Sequence, residues 1–151
     1  MIELDHFTPA EFGEWGPDMA KSALVCLDAF RAHWGAPCRI SPHPAALGRH
    51  MGPDALSGHN IDYWQEVFAA DLFPAGMDTA ADLQRAYDCA RLAGATGIGL
   101  YTDTAPGFMI HLDTRPDRTP DDPRLWCRRL IHGRSEYRAI GEVLPGGVSA
   151  P

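Results

Sequence analysis

The sequence predicts an α+β fold: a small, mainly antiparallel sheet packed against helices. Three observations lead there. Helical spacing of apolar residues appears once early (Ala20, Ala23, Leu24, Leu27, Phe30, Trp34) and once in the middle of the chain (Leu83, Ala86, Tyr87, Ala90). Two short strand-like runs, 98–101 and 108–112, flank the turn formers Asp103-Thr104-Ala105-Pro106-Gly107, so they should pair antiparallel. Helices gather toward the N-terminal half and the middle of the chain beside a small set of strands, which is the α+β arrangement.

Each element has local reasons. Thr8-Pro9-Ala10-Glu11 reads as a capping box with proline at the first helical position, opening a short helix. Pro17-Asp18 is expected to start the longer early helix, which Gly35-Ala36-Pro37 stops. Cys38 to Ser41 is a brief strand, and residues 42–58, with three prolines and three glycines, read as an irregular loop. The run 67–73 is apolar apart from Asp71 and closes at Pro74, as a buried strand would, although helix is the competing reading. Thr79-Ala80-Ala81-Asp82 opens the second helix and Gly94 ends it. Beyond Arg115 comes a charged, proline-rich connection (116–123), then one expected strand within 125–140. Residues 1–144 are read as a single domain and 145–151 as a flexible tail.

Composition narrows the function classes. A chain of 151 residues, 45% of them hydrophobic, can bury a core without disulfides or a structural metal. Its 13 basic against 20 acidic residues give a net charge of −7, which repels phosphate backbones and argues against nucleic acid as a partner. Cys26, Cys38, Cys89 and Cys127 form no C-x-x-C pair and sit among apolar residues, so they read as reduced core side chains. No segment approaches the ~18 apolar residues of a membrane span, and the N-terminus lacks a basic start followed by an apolar stretch. The expectation is a chain made in the cytoplasm, with no membrane partner.

Two histidines and a carboxylate arriving from separate segments are what a catalytic zinc requires, since three protein ligands leave one tetrahedral position open. His59 lies in Ser57-Gly58-His59-Asn60, a polar turn in which an isolated histidine is most often exposed. Asp71 is set among Ala69, Ala70, Leu72 and Phe73, where burying an unpaired carboxylate is costly, so either it faces solvent on an edge or a cation meets it, a metal ion or an arginine. His111 and Asp113 alternate with Ile110 and Leu112 and therefore share one face of a strand. Asp113 could orient a metal ligand from there. His6, His33, His43, His50 and His132 have no assigned role, with His50 near enough in sequence to His59 to border the same cleft.

Ser57-Gly58-His59, Ala69-Ala70-Asp71-Leu72, Gly97-Ile98-Gly99-Leu100-Tyr101 and His111-Leu112-Asp113 occur in the order of the S-x-H, A-x-D, G-[IV]-G-x-Y and H-[VIL]-D motifs of a known family. Over residues 5 to 115 the chain resembles the zinc D-alanyl-D-alanine carboxypeptidases and related phage endolysins, kin of the vancomycin-resistance dipeptidases. The resemblance implies that His59, Asp71 and His111 bind zinc. The commonest family spacing would place the acid at Glu66, but the flanks of Asp71 match and those of Glu66 do not; Asp62 and Glu66 are the alternatives. Several relatives carry their general base three residues before the last histidine, where this chain has Phe108. Asp103 and Asp113 are the acids left for that catalytic role.

The implied chemistry is zinc-assisted hydrolysis, in which the ion acidifies a water and polarises the scissile carbonyl while an acid relays the proton. The implied substrates are peptidoglycan stem peptides, cut at a D-Ala-D-Ala terminus or an L-Ala-D-Glu link. Their free carboxylates call for a guanidinium, with Arg49 and Arg39 as candidates. Such an enzyme, from a phage or prophage, would act at the cell wall after release or as part of a virion alongside other virion proteins. The competing reading is a non-catalytic virion or wall-binding module that keeps the fold.

Overall fold

The structure is a computed structural model and describes residues 2–148. Three helices, α1 (Lys21–Trp34), α2 (Ile61–Trp64) and α3 (Ala80–Leu92), accompany six strands: β1 (Cys38–Ile40), β2 (Ala69–Pro74), β3 (Gly97–Tyr101), β4 (Met109–Asp113), β5 (Arg124–Ile131) and β6 (Arg134–Arg138). The strands form one sheet in the order β1-β2-β4-β3-β5-β6. Every neighbouring pair is antiparallel except β3 with β5. The expected α+β architecture is therefore present.

Side-chain alternation divides the sheet into two chemically different faces. Ala70, Leu72, Ile98, Leu100, Ile110, Leu112 and Cys127 are fully buried and join Leu24, Leu27, Phe30, Leu83, Ala86 and Tyr87 of α1 and α3 in one apolar cluster. Burying such side chains contributes roughly 1.5–3 kcal/mol each for the larger ones, enough to fix which face turns inward. The other face carries Asp71, His111, Asp113, Tyr101, Trp126 and Arg128. A register slip of one residue would send these polar groups into the core, so packing against the helices also fixes the site.

Several boundaries depart from the expectations. Helix α1 starts at Lys21, not at Pro17, because Asp18 and Ala20 are held extended by hydrogen bonds with Val67 (2.8 and 2.9 Å). Residues 9–18 form 3-10 turns broken at Gly13, whose φ is +52°, so the capping box at Thr8, with Glu11 accepting its backbone N–H at 2.7 Å, opens a turn and not a regular helix. The stretch expected to hold one strand is a hairpin, β5 and β6, closed by His132-Gly133. Both turn residues have positive φ (49° and 78°), as a two-residue turn matched to strand twist requires. The tail expected from Pro145 is attached at its start: Gln84 accepts from Gly146 N and donates to Gly147 O. Ser149 to Pro151 lie outside the described residues.

Helix α3 has Thr79 as its N-cap and Gly94 in the left-handed conformation after its end, as expected. All four cysteines are buried and unpaired, and burial raises their thiol pKa values, for Cys26 and Cys38 to about 12. Among the described residues no helix is long and apolar enough to cross a membrane.

Candidate metal centre

The two donors from the sheet are neighbours by register. Asp71 on β2 stands directly opposite His111 on β4, and Gly99 of β3 and Trp126 of β5 continue the same cross-sheet row. The third donor comes from the 42–58 loop and the turn after it, which are pinned to the sheet by backbone bonds from Asp71 N to Ala46 O (2.9 Å) and from Phe68 N to Gly58 O (2.8 Å). Ser57 Oγ accepts from His59 N at 3.3 Å, and Asn60 caps α2 while bonding to Met51, Gly52 and Ala55. These contacts hold His59 over the sheet with only 2% of its surface exposed. The exposure typical of a histidine in a polar turn does not apply here.

His59 Nε2, His111 Nδ1 and Asp71 Oδ1 form a triangle with sides of 3.1, 3.0 and 3.3 Å. Ligand atoms around a tetrahedral ion with bonds of about 2.0–2.1 Å stand about 3.3 Å apart, so the triangle is close to one face of such a site. The outer nitrogens decide the tautomers. His59 Nδ1 lies 2.5 Å from Leu47 O, which can only accept, so that nitrogen carries the hydrogen and the Nε2 lone pair points inward. His111 Nε2 lies 2.7 Å from the Asp113 carboxylate, which by the same argument leaves a lone pair on Nδ1. With both rings neutral, three electron-rich atoms converge with no hydrogen between them. The buried His59, Asp71 and His111 group can hold a metal ion.

The titration of these groups shows how strongly the pocket demands positive charge. Burial lowers the His59 pKa, and the hydrogen bond to Asp71 only partly opposes it. Burial also acts to lower His111, but hydrogen bonds to Asp113 and Asp71 outweigh it and lift the ring to about 9. Burial would raise Asp71 and Asp113, yet their imidazole partners hold both below the usual carboxylate range. Without a metal, the two carboxylates bonded to His111 favour a proton on its ring. A divalent cation and that proton compete for one place.

Asp71 is met by an arginine as well as by the histidines. Arg49 Nη2 reaches its second oxygen at 3.3 Å and Arg49 Nε donates to Ala45 O at 2.6 Å. The runners-up for the acidic ligand are engaged elsewhere or exposed: Asp62 binds His50 and Gly52 N, and Glu66 is exposed. His50, expected to border the cleft, is instead exposed in that pair with Asp62.

Two cavities flank the triangle. One, about 540 Å³, is bordered by His59, His111, Tyr101, Trp126 and Tyr137, and the other, about 630 Å³, by Asp71, Arg39 and Arg128; Arg49 borders both. Both arginines expected near the pocket are thus beside it. The two acids considered as bases are not free. Asp103 accepts from Arg128 Nε (2.8 Å) and Ser135 Oγ (2.5 Å) and lines neither cavity; Asp113 is occupied with His111 and Arg115 N. Asp103 is thus placed to hold Arg128, and Asp113 to orient His111.

The G-x-G-x-Y segment gains a physical meaning. A Cβ on Gly97 would collide with the Asp113 carboxylate, and one on Gly99 with the Trp126 indole, so both glycines clear space for groups that surround His111. Trp126 packs against the His111 ring (centroids 4.9 Å apart) and donates from Nε1 to Tyr101 Oη at 2.9 Å. Burial raises the pKa of the Tyr101 phenol, which keeps its proton, and the lone pair given to Trp126 leaves that proton for another acceptor. Sequence reasoning missed Tyr101, Trp126 and Arg128. Paired glycines inside an apolar strand were the available signal of a close approach.

Compared with family models, curated proteins and solved structures, the chain matches none. The functional reading therefore rests on the chemistry of the site. Because Asp113 fixes the tautomer and orientation of His111, Asp113→Ala is expected to weaken divalent-metal binding about 10–100-fold while the fold persists. Competition against a chromophoric chelator, with circular dichroism alongside, checks this. Unchanged affinity would remove Asp113 from the centre.

Proposed function

We propose that this protein is a zinc-dependent peptidase that cleaves peptidoglycan stem peptides, derived from a phage or prophage and acting at the cell wall. The observation that carries the reading is the buried triangle of two imidazole lone pairs and a carboxylate, with tautomers set by Leu47 O and Asp113. The motif order around it and the cavities on either side support it further. When bound, zinc supplies Lewis acidity toward water and the scissile carbonyl.

The chain's own groups divide the remaining work. Arg49 steadies Asp71 and offers positive charge to a substrate carboxylate. Tyr101, kept protonated by burial and aligned by Trp126, is the group beside His111 that donates a hydrogen bond to the reacting carbonyl's oxygen. His59 and His111, buried and fixed from behind, hold their inner nitrogens in place without reorganisation.

One observation favours the second reading, a non-catalytic virion or wall-binding module that holds a metal. Asp103 and Asp113 both have strong partners, so neither is a ready base. Elemental analysis of protein purified without added metal, together with mass spectrometry of peptides released from purified peptidoglycan, separates the readings. We expect about one zinc per chain, from the three-donor centre found among the described residues, and release of stem-peptide fragments that identify the bond cut. Zinc without release supports the module, and absence of both ends the metal reading.

A further inference from the structure

We propose that the cavity on the β1–β2 side of the triangle is a subsite for a ligand segment bearing two carboxylates, gripped by Arg39, Arg49 and Arg128. The sheet register places these groups. Arg39 pairs with Phe73, and Met109 and Arg128 both pair with Tyr101; all lie on the face that carries Asp71 and His111. This row is displaced from the Asp71–His111 row by two residues, about 7 Å along the strands. A group held there sits roughly two residues of an extended peptide away from the metal centre.

The charge of the cavity runs against that of the chain. The protein has a net charge of −7, yet three of its 13 basic residues line this cavity together with one acid, Asp71. That carboxylate already serves the triangle and Arg49. Two of the guanidiniums, those of Arg49 and Arg128, are held by hydrogen bonds, and the third, on Arg39, is exposed. Arg49 is tied to Ala45 O and Asp71, and Arg39 lies over the Phe73 ring at 5.9 Å. Arg128 is bonded through Nε to Asp103 and lies over Tyr101 at 4.8 Å, with about a third of its side chain exposed.

Asp103 gives the strongest indication that Arg128 is positioned for use. Its side chain is 1% exposed, one oxygen is shared by Arg128 and Ser135, and the other has no hydrogen-bond partner among the described residues. A buried carboxylate with an unsatisfied oxygen is a poor source of stability. What it provides is orientation: Arg128 has its Nε edge occupied and its guanidinium placed over the Tyr101 ring, so less conformational freedom remains to be lost when an anion binds. Asp103, considered as a base on sequence grounds, is a positioning residue for that arginine.

The peptide nature of the ligand rests on the peptidase reading, whereas recognition of a paired carboxylate rests on the cavity alone. The test titrates the purified protein with glutarate and with pentanoate, which have the same chain length and differ by one carboxylate, read by calorimetry at low ionic strength. Glutarate is expected to bind at least about tenfold more tightly, and Arg128→Gln or Arg39→Gln to remove most of that preference. Asp103→Asn should lower glutarate affinity and leave pentanoate binding unchanged, which a merely structural role would not do. Because Arg39 is exposed, its variant keeps the test decisive if the Arg128 variant fails to fold. Equal binding of the two acids by the unaltered protein, or a preference that survives both arginine substitutions, overturns the proposal. Zinc content and peptidoglycan cleavage measured on the same samples keep the two ideas apart. Cleavage without glutarate preference ends the subsite alone, and preference without zinc or cleavage ends the peptidase alone.

Discussion

Asp71→Ala is expected to abolish stoichiometric zinc and to lower peptidoglycan cleavage by at least about 10³-fold, equivalent to roughly 4 kcal/mol of transition-state stabilisation. The effect is large because Asp71 supplies the one formal negative charge in the donor set. It also leaves Arg49, now 3.3 Å from nothing acidic, as an uncompensated positive charge beside two imidazoles that would otherwise attract a cation. Asp71→Asn keeps the volume and one acceptor oxygen, so it separates loss of charge from loss of packing. Elemental analysis and release of peptides check both variants, with thermal unfolding to show that they fold. Full zinc occupancy in Asp71→Ala would exclude His59, Asp71 and His111 as the metal centre.

The second large effect concerns pH and depends on whether metal is present. In metal-free protein, His111 has its folded pKa raised to about 9 from an unfolded value of 6.5. A raised imidazole pKa contributes stability that is fully present below pH 6.5 and is lost as pH climbs through 9. The size is on the order of 3 kcal/mol, at 1.36 kcal/mol for each pKa unit. Asp71 and Asp113 act in the opposite direction, since their depressed pKa values give stability above their ordinary range that disappears on acidification. His59 also acts in that direction, since its lowered pKa gives stability that is lost as pH falls below 6.5, so chelator-treated protein should melt highest near pH 6.5 and lose stability toward pH 9. Zinc affinity should rise over that same interval, because the ion displaces the His111 proton. Melting curves and zinc titrations from pH 5 to about 9.5 test the pair of trends. A metal-free melting temperature that does not fall above pH 6.5 would contradict the hydrogen-bonded pair of His111 with its two carboxylates.

The parts of this molecule visible in its sequence are those governed by short-range rules. The periodicity of α1 and α3, the threonine cap and glycine stop of α3, and the antiparallel β3–β4 pair all follow from residues within a few positions of one another. The alternation in β4 likewise announced that His111 and Asp113 share a face. What failed needed partners distant in sequence. The start of α1 is set by Val67, some fifty residues away, and the turn between β5 and β6 uses His132 in a left-handed conformation that this residue type seldom signals. The site shows the same division. Its three donors could be chosen from their flanks, but Leu47 O, Trp126 and Arg128 become functional only through the sheet order, which no local pattern encodes. Asp103 is the clearest case: proximity in sequence made it a candidate base, and β5 and β6 turned it into an anchor for Arg128.

The cross-strand register of Asp71 and His111 has a consequence for how a cation would be captured. Once the β2–β4 ladder zips, two arms of the chelate already face one another, whereas the third belongs to a turn that follows an irregular stretch of chain. Ion entry would then proceed through a two-armed clasp, with the His59 turn latching last. Amide exchange should accordingly slow most across residues 46–60 on metal addition, while the central ladder, already zipped, hardly responds.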